Sequence, residues 1–440
     1  MSHPDPRQPD AIPPELRARR GVAAIVAPFG TGRFYATEFR RRGWSSIAVT
    51  PPYTTLPPKH RVHHDDFLHV VEDHGDVART AEALRQRDVQ AVVAGSELGV
   101  PLAAALAHHL GLPGNPVPTG DARRDRAAAR DTLADAGVPV VPTLCTDDLE
   151  EAVAWAARNG RRPYTLGSAS HSAARDSGER VCTDHDDLVR AWQAMRGSPF
   201  APPEDTPEAP GHPALAGTPL LLRAEVTGAR YLVNTVSYAG HHRVTEIWAE
   251  HRMGRAGVML CGRADLLPPG SAVAGVLTDH VSRALTALGI AYGAAHSEIV
   301  LTDDGPLLLT TEPRPDSGID PVALLWATGS YHARDAVAAL LDPLSLMDRP
   351  TRAPKYTCRI VLATDRGGFL NTAVLQQILS LPTITGTVGH LVPGSRLHRT
   401  PGLLTSPGAL ILVADDQTEI ERDVQAVRIL ERDGLYQWQR

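Results

Sequence analysis

Between Gly289 and Pro315 the chain reads GIAYGAAHSEIVLTDDGPLLLTTEPRP. His296 and Glu298 alternate on one stretch, Thr310, Glu312 and Arg314 alternate on the next, and Asp303-Asp304-Gly305 separates the two. Spacing of two places each set on one side of a strand, and the turn residues predict a hairpin. Carboxylates held this way suit a hard cation, which takes oxygen ligands. A guanidinium fork suits a carboxylate or a phosphate. Each residue also has a plainer reading: a solvent-facing acid at Glu298, an ion pair of Arg314 with Glu298 or Glu312, and simple packing for His296.

Several elements must position this hairpin. VAAIVA, then a turn carrying Gly30 and Gly32, a helix through Arg42 and the run IAVT read as strand, helix, strand. A helix, a strand over Ala91 to Ala94, a turn and a further helix repeat the scheme. Strands alternating with helices predict a parallel sheet covered on both faces. Asp121 is expected to cap a helix that ends at Gly137, and DDLEEAVAWAARNG is a second amphipathic helix. The stretch 197–219 is rich in Pro and Gly and reads as a loop. LLLRAEV, RYLVNTVSY and HHRVTEIWAEHR are expected to form an antiparallel meander. AVAGVLTDHVSRALTALGI is a helix leading into the hairpin, and further helix and mixed α/β structure follow it.

At 440 residues the chain is too long for one core. Its net charge of -6 argues against nucleic acid or an anionic membrane as partner. Cys145, Cys182, Cys261 and Cys358 form no CxxC pair, so free thiols are expected. The histidines of HRVHHDDFLH and the pair at 241–242 match no zinc spacing. A charged, Pro-rich beginning and the lack of any long apolar run predict a cytoplasmic protein. The turn APFGTGRFYA lacks the third glycine of a dinucleotide fingerprint and reads as a strand–helix turn.

The ordered segments PGN…RRDRAAARDTLADAGVPVVPT, VTGARYLVNTVSYAGHHRVTEIW, LGIAYGAAHSEIVLTDDGPLLLTTEPRPDSG and VALLWATG resemble ATP-grasp proteins, above all the amino-acid ligases that make dipeptides and natural-product amides. The resemblance covers nearly the whole chain. It implies an α/β ATP-grasp fold with a Rossmann-like N-terminal (pre-ATP-grasp) α/β domain at 21–118 after a flexible 1–20. The ATP-grasp domain would follow at 119–345, divided at 218/219, and a C-terminal α/β lobe at 346–440. It also implies ATP and Mg2+, an amino acid or small carboxylate, and an amine joined through an acyl phosphate, with a homodimer as assembly. The alternative is a degenerate ATP-grasp protein with lost or altered nucleotide chemistry, in a regulatory role or as an enzyme of changed reaction type.

By the resemblance, Glu298 is a metal ligand, Arg314 is catalytic and binds substrate, and His296 and Glu97 contact substrate. The family's second acid falls at Thr310, while Glu312 adds a carboxylate two residues on, roughly 7 Å along the strand, so the metal set would be Glu298 and Glu312. The first phosphate-binding lysine falls at Arg126. The second falls near Leu166 or Gly167, where no cation stands; His171 and Arg175, in the loop that covers the phosphates, would replace its charge. Glu225 would serve the nucleotide, and Arg230 reverses the sign of the usual acid.

Overall fold

The computed structural model describes residues 21–52, 62–123, 125–159, 163–168, 180–197, 219–255, 258–318, 320–347, 354–389, 391–397, 400 and 406–438. His171, Arg175, the segment 1–20 and almost all of the expected 197–219 loop lie outside them. The chain divides into two compact units, Met1–Asn115 and Pro116–Arg440.

In the first unit β1 (Val22–Val26), β2 (Ser45–Thr50), β3 (His69–Glu72) and β4 (Val89–Ala94) form a parallel sheet in the order β3-β2-β1-β4. Helices α1 (Phe34–Arg41), α2 (Val77–Arg85) and α3 (Val100–Leu110) connect and cover it. The near-continuous apolar runs of β1 and β2 are buried with Leu84 and Leu106, as a sheet covered on both faces requires. The glycines of the first turn serve packing: a Cβ on Gly32 would stand 2.0 Å from the carbonyl oxygen of Gly95. Any side chain there would separate the turns after β1 and β4.

The second unit holds two larger sheets. β5 (Thr143–Thr146), β6 (Tyr164–Ser168), β7 (Arg180–Cys182) and β8 (Leu220–Ala224) form an antiparallel sheet in the order β5-β8-β6-β7. Helices α4 (Arg126–Asp135), α5 (Leu149–Asn159) and α6 (His185–Gly197) belong to this region. Ala152 of α5 and Leu188 and Trp192 of α6 pack on Tyr164, Leu166, Leu220 and Leu222. Asp125, and not Asp121, caps α4: its carboxylate accepts the Ala127 and Ala128 N–H groups at 2.8 and 2.9 Å. Asp121 instead opens a short 3-10 turn, Asp121–Arg123.

The eight-stranded sheet runs in the order β13-β12-β9-β10-β11-β14-β18-β16. Its strands are β9 (Ala229–Tyr238), β10 (His241–Arg255), β11 (Val258–Leu266), β12 (Gly293–Thr302), β13 (Gly305–Glu312), β14 (Tyr356–Leu362), β16 (Ile384–Val388) and β18 (Gly408–Ala414). The expected meander is displaced by one strand. β8 pairs with β5 and β6, and the meander is β9-β10-β11. The reason is local: the 225–228 link takes the chain from one sheet to the other. A Cβ on Gly228 would stand 2.4 Å from the Leu301 carbonyl oxygen, so the crossing passes too close to β12 for a side chain.

Helix α7 (Ala272–Ala287) covers one face of this sheet. Leu277, Val281, Ala284 and Leu285 pack with Val233, Ile247, Ala295 and Ile299. Buried Arg123 ties the start of the unit to the end of α7, donating to the Leu288 and Gly289 carbonyls, both at 3.4 Å. The hairpin forms where the sequence predicts it, with Gly305 at φ 118 in its turn. After it come α8 (Pro321–Thr328), α9 (His332–Leu341) and α10 (Pro343–Met347), broken at Gly329 with φ 81. Strands β14, β16 and β18 of the 346–440 segment extend the same sheet. The segment also holds a small sheet of β15 (Gly368–Leu370), β17 (Arg396–Leu397) and β19 (Tyr436–Trp438), with α11 (Thr372–Leu379) and α12 (Gln417–Leu430).

Candidate active site

Alternation makes the two faces of the eight-stranded sheet chemically opposite. Val233, Ile247 and Ala295 point to α7, so their neighbours Asn234, Glu246 and His296 point the other way. Register aligns those neighbours. Glu312 lies opposite His296, His296 opposite Asn234, and Asn234 opposite Glu246. Residues paired across strands share a face, so these four form one row, and all are buried.

From His296 to Glu246 the row is hydrogen-bonded. Asn234 Nδ2 donates to Glu246 Oε2 at 2.8 Å and lies 3.5 Å from Asp316 Oδ2. The Asn234 amide oxygen therefore faces His296 Nδ1, 2.7 Å away, which must carry the proton. Trp248 Nε1 donates to the same Glu246 oxygen at 3.2 Å. Arg359 of β14 lies 3.6 Å from Asp316, donates to the Gly318 carbonyl at 2.9 Å and stands 5.6 Å over the Trp248 ring. Gly318 N–H donates to Asp316 Oδ1 at 2.8 Å. His332 of α9 accepts the Asp316 N–H on Nδ1 and donates from Nε2 to the Thr235 carbonyl, so it is the neutral Nε2–H tautomer.

These surroundings separate the two carboxylates. Burial pushes Glu246 up to about 7, against the hydrogen bonds from Asn234 and Trp248. Burial also works against charge on Asp316, but His296, Arg359 and the Gly318 N–H outweigh it and hold that carboxyl below the usual range. Burial lowers both His296 and His332.

The residues expected from sequence fall into distinct places. His296, Glu298, Glu312 and Arg314 come together at the hairpin. Arg314 bonds the Glu312 carboxylate and the Pro315 carbonyl, so of the readings open to it the ion pair with Glu312 forms. Half-buried Glu298 lies opposite Thr310, whose buried hydroxyl has no hydrogen-bond partner among the described residues. Glu225 sits at the link between the two larger sheets. It accepts from Thr165 at 2.9 Å, Arg230 at 2.7 Å and Arg252 at 3.0 Å. Arg230, the residue of reversed sign, thus has its acid beside it. Arg126 opens α4. Glu97 belongs to the other unit, in the turn after β4.

Sequence reasoning missed Asn234, Glu246, Asp316, His332 and Arg359. One signal was present for three of them: VNTV, VTEIW and CRIVL each set an amide or charge inside an apolar strand, where it must be paired or used.

Among the described residues no group of three or more His, Cys, Asp or Glu side chains is placed to hold a metal ion. One carboxylate at Glu298 beside a hydroxyl fits magnesium that arrives on substrate phosphates, which usually takes one or two protein carboxylates and keeps several waters. It does not fit a resident ion held by protein alone. All four cysteines are free. No helix among the described residues is long and apolar enough to cross a membrane.

A four-stranded antiparallel sheet with helices, followed by a larger antiparallel sheet bearing polar groups on one face and preceded by a parallel α/β unit, is the ATP-grasp fold. The chain matches the L-amino acid ligase of Bacillus licheniformis with a TM-score of 0.71, covering 96% of this chain and 99% of that one at 16% identity. It matches the carboxyaminoimidazole ribonucleotide synthase of Aspergillus clavatus, solved with ATP, with a TM-score of 0.65 over 95% and 99% of the two chains at 16% identity. In sequence it is similar to dapdiamide A synthase of Enterobacter agglomerans, 24% identical over 424 residues, which is 94% of this chain and 96% of that one. No family model matches the chain.

Proposed function

We propose that this chain is an ATP-dependent carboxylate–amine ligase, forming an amide or peptide bond between an amino acid or other small carboxylate and an amine through an acyl phosphate, in natural-product biosynthesis. The buried row Glu312–His296–Asn234–Glu246, flanked by Arg314 and Arg359, carries the reading. Burying ions costs several kcal/mol each before pairing, and a sheet face with no chemistry is served better by apolar residues. Similarity to dapdiamide A synthase over nearly the whole of both chains supports the amide as product.

In this reading the Arg314 guanidinium stabilises the oxyanion of the tetrahedral intermediate, where charge develops. His296 lines the substrate side. Arg126 and Glu225 serve the nucleotide. Glu298 meets the magnesium that accompanies ATP, and that ion supplies neutralisation of phosphate charge when bound. Glu312 is available to the metal only by giving up Arg314.

A second reading, an ATP-grasp shape with lost or altered nucleotide chemistry, is favoured by two observations. Arg314 already holds Glu312, and Arg230 and Arg252 already hold Glu225. Calorimetry with ATP and magnesium, then phosphate release with pairs of amino acids, separates the two. The ligase reading expects binding and release with at least one pair. Absence of binding at millimolar nucleotide eliminates it, and binding without turnover on any pair selects the second reading.

A further inference from the structure

Glu246 differs from Glu312 and Asp316, the two acids nearest it on the polar face whose cations the structure shows. Glu312 has Arg314 and Asp316 has Arg359. Glu246 has only neutral donors, the Asn234 amide and the Trp248 indole, and both bond Oε2. Its other oxygen, Oε1, makes no hydrogen bond among the described residues and is not one of the fully enclosed, unpartnered atoms. One oxygen is thus fixed by two donors while the second is presented bare, in a residue only 5% exposed. Because Oε1 keeps a little accessible surface, it is open to a small ligand, whereas Oε2 is fully engaged.

The surroundings define what that oxygen suits. Asp316, Asp335 and Arg359 act on Glu246 electrostatically, His296 reaches it through Asn234, and His332 joins the group through Asp316. The arginine beside it is already engaged with Asp316 and the Gly318 carbonyl. Among the described residues no cation hydrogen-bonds Glu246, and the amine of an amino-acid acceptor is largely a compact ammonium at neutral pH.

Resting on the ligase reading, we infer that Glu246 is the general base of amide formation: Oε1 receives the ammonium of the amine substrate and takes its proton. The step balances. R–NH3+ gives one proton to the carboxylate and becomes R–NH2. Its lone pair attacks the acyl-phosphate carbon, the C–N bond forms, and the C–O bond to phosphate breaks. The second nitrogen proton leaves with the phosphate, and Glu246 returns its own to solvent. Asn234 and Trp248 are positioning residues that aim Oε1.

The test compares two nucleophiles, each with MgATP and the proteinogenic amino acids in turn as carboxylate donors. Hydroxylamine is uncharged at neutral pH and needs no base, whereas an amino-acid acceptor arrives protonated. E246Q should lose about a hundredfold or more in amide formation but less than about tenfold in hydroxamate formation. In the wild type, amide formation should rise through a titration near pH 7 that hydroxamate formation lacks, so the comparison still decides if the variant fails to fold. Equal losses of both products, no loss of either, or matching pH profiles overturn the role of Glu246 and leave the ligase reading standing. A wild type that makes no hydroxamate with any donor overturns both.

Discussion

Arg359→Met offers a direct measure of how the polar face is held together. Arg359 is 7% exposed and supplies the cation for Asp316, a bond to the Gly318 carbonyl and a cap on the Trp248 ring. Methionine keeps most of the volume, so packing changes little. What is lost is the compensation of a buried carboxylate, which costs about 3–5 kcal/mol when one partner of a buried pair is removed. Asp316 keeps its Gly318 N–H and its proximity to Asn234, which places the expected loss near the lower figure, about 3 kcal/mol. In urea that lowers the unfolding midpoint by about 1 M or less, since the m-value grows with the size of the unit. Tryptophan fluorescence is the suitable probe, because all but Trp44 of the six tryptophans lie in the unit that contains Arg359. The sign of the pH effect is a second check. Asp316 is held below its usual range partly by Arg359, so its contribution is present above the unfolded carboxylate pKa and lost as pH falls. The difference between wild type and R359M should therefore narrow on acidification, as Asp316 protonates more easily in the variant. Adding D316N to R359M should recover about 2 kcal/mol through the pair's coupling. A single variant within about 1 kcal/mol of wild type, or additive behaviour of the two changes, refutes the account.

Other consequences can be measured independently. His280 on α7 is buried, neither ring nitrogen has a hydrogen-bond partner among the described residues, and burial lowers it from 6.5 to about 4. The unfolded chain therefore binds the extra proton, and the protein should lose stability as pH falls from about 6.5 to about 4, by about 2 kcal/mol after discounting for solvent screening. His280→Leu should remove that part of the pH dependence in urea titrations. Gly318→Ala would place a Cβ 2.0 Å from Arg359 Nη1 and displace the guanidinium, so unfolding should come earlier by about 1–2 kcal/mol, and less so in an R359M background. Thr310→Glu sets a second carboxylate opposite Glu298 in register, and on the ligase reading calorimetry should show tighter magnesium-dependent ATP binding; unchanged affinity would remove Glu298 from the metal site.

The sequence carried the element types because the signals are local. Apolar runs broken by glycine turns, Asp-Asp-Gly between two alternating strands and helices closed by glycine each act within a few residues. Sequence reasoning failed at one helix start: Asp121 is the cap expected from sequence, and the backbone geometry makes Asp125 the cap of α4 instead. It failed again at β8, which looks like the first strand of a meander but finds its partners in β5 and β6, far back along the chain.

For the site, alternation alone placed His296 with Glu298 and Thr310 with Glu312 on the strands of one hairpin, whereas Arg314, expected on the second strand, lies in a bend just past its end. Alternation could not say that Arg314 would bond Glu312, since a residue spacing of two permits either an ion pair or two separate functions. Nor could it join Asn234, Glu246, Asp316, His332 and Arg359, which come from β9, β10, a loop, α9 and β14. Their meeting depends on strand order and register across the eight-stranded sheet, and those are set by long-range pairing whose information is spread over more than a hundred residues. The same pairing divides the roles of the acids: Glu246 and Asp316 have similar intrinsic chemistry, and only the neighbours that the tertiary structure brings raise one and lower the other.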